Sequence, residues 1–78
     1  MKTTRYFDAA RTRPDRSAIR EERIAHAIEH PAQQRTQADG RIRRWARIDD
    51  AGGRWLRVVL LADGATVHNA FFDRGFVP

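Results

Sequence analysis

From Gln33 onward, apolar and polar residues alternate in strand-length runs over 33–38, 41–48, 54–61 and 65–72. Asp39-Gly40, Gly52-Gly53 and Asp63-Gly64 stand between them. The pattern predicts an antiparallel meander, because glycine readily takes the positive φ that a two-residue hairpin turn requires. Two-residue loops at 39–40 and 63–64 would set Ala38 against Arg41, Gln37 against Ile42, Leu60 against Val67 and Leu56 against Phe71. Leu56, Val58, Leu60, Val67 and Phe71 then share one face. Burying five such side chains, each worth about 1.5 to 3 kcal/mol, requires a cover for that face. Trp55, Arg57, Val59, Thr66, His68 and Phe72 fall on the other.

The cover is predicted upstream. Over 19–30 the period changes to that of a helix, with Ile24, Ala25, Ala27 and Ile28 on one stripe and Glu21 and Glu22 in the first turn, at the positive end of the helix dipole. Ile19 and Ile24 have the spacing of a hydrophobic staple if Arg20 is the cap, while Ser17 would start the helix earlier. Pro31 disfavours helical geometry at His30 and ends it. Ile24 and Ile28 should dock on Leu56, Val58 and Leu60. Residues 1–7 carry enough β-formers for a short edge strand, and 8–16 reads as a connector holding one helical turn at most. The tail, 73–78, either folds back over an apolar patch or stays free. The expected architecture is a single α+β domain: N-terminal strand and connector over 1–18, one main helix over 19–30, an antiparallel meander sheet of four or five strands over 33–72, and the tail.

One register decides which side chains face outward. A one-residue slip in the 41–48 strand exchanges its faces. A three-residue loop of Asp50, Ala51 and Gly52 sets Trp45 against Arg57 and Arg47 against Trp55; a four-residue loop sends Arg47 to the core face. Desolvating unpaired arginines is costly, which favours the first.

Composition adds an anionic partner to the picture. Fifteen basic residues against ten acidic leave a net charge of +5, and fourteen of the fifteen are Arg. Residues 1–20 hold six positives and two negatives, 41–61 again six and two, and 21–40 two and four. A basic sheet containing Trp suits RNA or DNA, although a codon bias toward Arg would give the same surface charge. The absence of cysteine excludes disulfides and thiolate zinc sites and suits a reducing compartment. No apolar run has signal-peptide or membrane-spanning length, so a soluble, cytoplasmic chain is expected, with no membrane partner.

In the favoured register Arg41, Arg43, Trp45, Arg47 and Trp55 form a nucleic-acid-binding surface, the guanidinium groups on phosphates and the indoles on bases. Cross-strand packing or a dimer interface would use the same residues. His68 beside Arg57 suits metal-independent phosphodiester cleavage, the imidazole moving the proton and the guanidinium offsetting phosphorane charge. His26 and His30 have the i, i+4 spacing of metal ligands but no third ligand and no HExxH signature, so no metal is expected. No phosphate loop or serine nucleophile motif is present, and no cofactor is expected.

The runs Ile24-x-x-Ala27-Ile28-x-x-Pro31, Ala38-Asp39-Gly40-Arg41-Ile42-Arg43, Leu56-Arg57-Val58-Val59, Asp63-Gly64 and His68-Asn69-Ala70-Phe71 resemble a family of small uncharacterised bacterial domains. That family is similar to BrnT-type toxins and, more remotely, to the RelE/ParE superfamily; the resemblance spans about residues 19–76. It implies a toxin-like α+β fold, cleavage of messenger RNA without metal, and neutralisation by an antitoxin. Such domains often carry a histidine and an arginine ahead of the helix; the corresponding stretch, 11–20, has no histidine. The expected function is thus a toxin-like RNA-interacting protein and endoribonuclease. The alternative is a non-catalytic module that binds a protein or a second copy of itself.

Overall fold

A computed structural model describes all of residues 1–78. Four strands, β1 (Gln33–Thr36), β2 (Ile42–Ile48), β3 (Arg54–Leu60) and β4 (Val67–Phe72), form one antiparallel sheet in sequence order. Helix α3 (Glu21–Glu29) lies on one side of it. The α+β class and the four-stranded antiparallel sheet follow the expectation, and one main helix is matched only loosely. Two short helices, α1 (Arg5–Ala10) and α2 (Pro14–Ser17), precede α3.

The core is the inner face of the sheet against α3 and α1. Leu56, Val58, Leu60, Val67, Ala46 and Ile48 meet Ile24, Ala27, Ile19 and Phe7, with Ile28, Ile42 and Phe72 packed at the margin. No polar or charged side chain is buried there. The staple forms as expected, since Arg20 is the cap residue and Ile19 and Ile24 are both buried. Arg20 makes no side-chain capping bond, so the apolar pair rather than a cap fixes this helix start. Arg44, the polar residue on the inner side of β2, escapes burial by reaching the end of α3, where its guanidinium donates to the Ile28 carbonyl at 3.0 Å and to Gln34 at 2.7 Å. A cation there also suits the negative end of the helix.

Pairing between β2 and β3 follows the desolvation argument: Trp45 opposes Arg57 and Arg47 opposes Trp55. The connection adds a 3-10 turn at Asp49–Ala51 before Gly52 and Gly53. The other two hairpins differ from the two-residue loops expected. Gln37 rather than Ala38 pairs with Arg41, and Thr36 rather than Gln37 opposes Ile42, because 38–40 is a three-residue loop with Gly40 at φ +90°. Asp-Gly serves this loop as well as a two-residue turn, since both need the left-handed glycine. The slip moves Arg35 to the outer face, opposite Arg43.

In β4 the expected pair Leu60 and Val67 is present, but a bulge follows. Val59 opposes Asn69, Arg57 opposes Phe71 and Leu56 opposes Phe72, so His68 is the extra residue. Phe71 and Phe72 therefore exchange the faces assigned to them by strict alternation. Phe72 takes the place opposite Leu56 that the alternation gave to Phe71, and Ala70, expected opposite Arg57, is buried opposite Val58.

The N-terminal segment departs furthest. Only its start joins the sheet: the Thr4 N–H donates to the Val67 carbonyl and the Val67 N–H to the Lys2 carbonyl, at 3.0 and 2.9 Å, a parallel bridge on the β4 edge. The chain then turns helical at Arg5 instead of continuing as a strand. Thr4 caps α1 by accepting the Phe7 N–H at 3.1 Å, and Asp8 in the first turn accepts the Thr3 hydroxyl at 2.7 Å. That threonine-then-acid pattern is a helix start. Within 8–16, expected to be a connector, α1 ends and α2 begins with Pro14 at its first position.

Candidate nucleic-acid interface

The outer face of the sheet has an open, cationic part around Arg35, Arg41 and Arg43 and a covered, aromatic part around Trp45, Trp55 and Arg57. Arg35 and Arg43 sit directly opposite each other in the open half. Neither has a carboxylate within ion-pair distance, and the Nε of Arg43 is buried without a hydrogen-bond partner. Like charges directly opposite each other on a sheet are destabilising. Arg41 is next to them at the turn, its Nε 3.8 Å from Asp39. The hollow at Arg35, Gln37, Asp39 and Arg43 has a volume of about 380 Å³.

Gln37 also borders a second hollow of about 340 Å³, where Arg41 and Arg57 meet His68, Tyr6 and Phe71. His68 is placed there by the bulge and by α1. Its imidazole stacks on Tyr6 at 4.8 Å, and its Nδ1 lies 3.0 Å from the Thr4 hydroxyl oxygen, the oxygen that also caps α1. Two tautomers satisfy that contact. If Nδ1–H donates to Thr4, the lone pair of Nε2 is left to accept a proton; if Thr4 donates, Nε2 carries the proton. Burial, and after it the charge of Arg41, push the imidazole pKa below its usual value against a smaller opposing pull from Asp39. His68 is therefore neutral at pH 7.

The covered half belongs to the tail, which folds back over it. The Asp73 carboxylate accepts the Trp45 indole N–H at 3.0 Å and pairs with Arg57 at 3.4 Å, and the Gly75 N–H closes its other oxygen at 3.1 Å. Phe76 stacks on Trp45 with ring centres 4.7 Å apart and an interplanar angle of 16°, and tilts against Trp55 at 5.0 Å. Trp45 is left only 4% exposed. Burial alone would raise the Asp73 pKa, but hydrogen bonds from Trp45, Arg57 and Gly75 outweigh it and hold the carboxyl below its ordinary range. Arg57 also packs over Phe71, its guanidinium carbon 4.9 Å from the ring centre.

The structure thus separates the residues that the sequence grouped. Arg41, Arg43 and His68 lie together and open. Trp45 and Arg57 lie together but are occupied by Phe76 and Asp73. Arg47 stands apart at the hairpin tip, 63% exposed and 3.7 Å from Asp49, with Trp55 half-buried opposite it. His26 and His30 are exposed on α3 with ring centres 5.5 Å apart, and no group of three or more His, Asp or Glu side chains gathers around them. The sequence reading missed Arg35, Tyr6, Thr4, Asp73 and Arg16, whose guanidinium reaches over Phe71 to Asn69. Of these only Thr4 carried a signal, its capping pattern; the fold-back of the tail at Phe76 was one of two expected outcomes. The chain matches no family model, no curated protein and no solved structure. No helix is long and apolar enough to cross a membrane.

Proposed function

We propose that the open half of the outer face binds single-stranded RNA through its phosphates. The observation that carries this reading is the Arg35–Arg43 pair: two opposed cations without a counter-ion, beside Arg41 and the stacked Tyr6 and His68. Guanidinium groups bind phosphate bidentately, and Tyr6, half exposed, offers a ring to a base. The motif resemblance supports the class we propose for it, a BrnT- or RelE-like toxin acting in the cytoplasm and neutralised by an antitoxin.

The same hollow supports metal-independent cleavage. Neutral His68 accepts the ribose 2′-hydroxyl proton at Nε2, the 2′-oxygen attacks phosphorus, and the bond to the 5′-oxygen breaks, leaving a cyclic phosphate and a 5′-hydroxyl that takes up a proton. Arg41 offsets the charge on the pentacoordinate phosphorus, the role that the sequence reading gave to Arg57, which Asp73 holds. Cleavage should persist to more acidic pH than an ordinary imidazole base allows, failing as pH falls through the lowered His68 pKa.

The test is titration of a fluorescent single-stranded RNA at low and moderate salt, following binding and RNA integrity together. Three phosphate contacts predict a log-log slope of about −2, and Arg43→Glu should flatten it by about 1. Loss of cleavage in His68→Ala with binding retained assigns the proton transfer, and intact RNA throughout leaves a binding module. A salt-independent signal removes nucleic acid from the reading. The alternative, a non-catalytic protein-binding or self-associating module, draws on one observation: β1 is an exposed sheet edge whose backbone can accept another strand.

A further inference from the structure

The tail does more than cover an aromatic patch, because of which groups it presents and where. Asp73 places a carboxylate on the Arg57 guanidinium and the Trp45 indole N–H, and three residues later Phe76 lays a flat ring parallel to Trp45 and against Trp55. An anion on an arginine and a planar ring on a tryptophan are the two halves of a nucleotide. The Arg57 and Trp45 partners lie opposite each other on neighbouring strands, so one nucleotide can reach both. Arg57 also lines the hollow that holds His68 and Arg41, which makes the covered half continuous with the open one.

We infer that Trp45, Trp55 and Arg57 form a nucleotide subsite, base between the indoles and phosphate on the guanidinium, which the protein's own Asp73 and Phe76 occupy as a pseudo-ligand until RNA displaces them. The inference rests on the proposed RNA-binding reading and extends it by one nucleotide. The tail is suited to leave. Arg74, Gly75, Val77 and Pro78 are exposed, and the tail's internal backbone bond, from the Phe76 N–H to the Asp73 carbonyl, is long at 3.4 Å. Asp73 itself is anchored by a 2.9 Å bond from its N–H to the Trp55 carbonyl, so opening hinges beyond that residue. Phe76 lies outside the core cluster, so removing its ring should spare the fold.

The experiment compares wild type, Phe76→Ala and Asp73→Asn in binding a short fluorescein-labelled oligouridine across a salt series, with thermal melts to confirm folding and acrylamide quenching to report Trp45 exposure. Phe76→Ala should bind at least about fivefold tighter, the lower range of one base stack. Asp73→Asn, which releases Arg57, should steepen the salt slope by about 1. Binding by Phe76→Ala alone, with wild type silent, also supports the subsite and makes the tail a complete block. If wild type binds with a salt-dependent slope and Phe76→Ala binds no tighter although its tryptophans become quenchable, the subsite is overturned and the open-face reading stands. If no form binds, both fall.

Discussion

The two faces of the same four strands obey different rules. On the inner face, alternation accounts for what is buried up to the β4 bulge: Leu56, Val58, Leu60 and Val67 are each at 0% exposure, and no polar side chain is buried among them. On the outer face, Arg43 and Arg57 keep a buried Nε without a partner, as does Arg16 where it reaches in from α2, and Arg35 opposes Arg43 without a counter-ion. A face whose polar atoms are left short of partners is not minimised for folding. That contrast separates what the chain needs to fold from what it holds for a ligand.

The contrast is sharpest if each face is broken separately. Leu56→Ala removes a fully buried side chain at the centre of the inner face and should cost about 2 to 5 kcal/mol, a large share of the stability of a domain of this size. Urea denaturation followed by circular dichroism checks it. A loss below about 1 kcal/mol would mean that the helix and sheet pack far more loosely than their burial indicates.

What could be read from the sequence divides along the same line. Helix α3 and strands β2 and β3 were legible because apolar spacing, Pro31 and the cost of burying Arg47 each act locally or between neighbouring strands. The bulge at His68 was not, because its surroundings are assembled from distant residues: Thr4 contacts His68 and Arg16 contacts Asn69, across 64 and 53 positions. The 38–40 loop was ambiguous because its glycine satisfies loops of two lengths, and that one residue decided whether Arg35 faced inward or outward. In the tail, nothing local says that Asp73 will find both Trp45 and Arg57. The open cationic cluster was thus half visible, as Arg41 and Arg43, and the covering of Trp45 was not.

Asp73→Asn should be the next largest loss, about 1 to 3 kcal/mol at neutral pH, because the carboxylate is 15% exposed and accepts from Trp45 and Arg57. Its pKa is lower in the folded chain than the ordinary carboxylate value. The stabilisation is therefore fully present above the unfolded pKa and disappears as pH falls through the folded one. The gap between wild type and Asp73→Asn should narrow on acidification below about pH 4. Asp63 is held at about 2 by the Thr66 hydroxyl and the Thr66 and Ala65 N–H groups, so it titrates in the same acid window. Its contribution is common to both proteins and cancels in the difference. A gap that stays constant down to low pH would remove the ion pair from the account.

Arg43→Glu should leave stability within about 0.5 kcal/mol, or raise it, while weakening RNA binding at every sequence and flattening its salt slope by about 1. The opposite pairing, unaltered RNA binding with reduced stability, would return Arg43 to a packing role.

A change of similar size at position 35 decides most. In a protein shaped only by folding, the direct opposition of Arg35 and Arg43 is a cost that most polar residues at position 35 would remove. Arg35→Thr keeps a strand-forming residue at an exposed edge position and relieves the repulsion, so it should stabilise the domain by about 0.2 to 1 kcal/mol. If the pair is held for phosphate, the same substitution weakens RNA binding, and the two readouts move in opposite directions, as they do where a site is kept at the expense of stability. Raised salt supplies the control, since screening should stabilise wild type more than Arg35→Thr and erode the difference between them. A substitution that stabilises without touching RNA affinity would show that the opposed arginines are merely tolerated on an open edge, and the outer face would lose the observation that most distinguishes it from ordinary solvated surface.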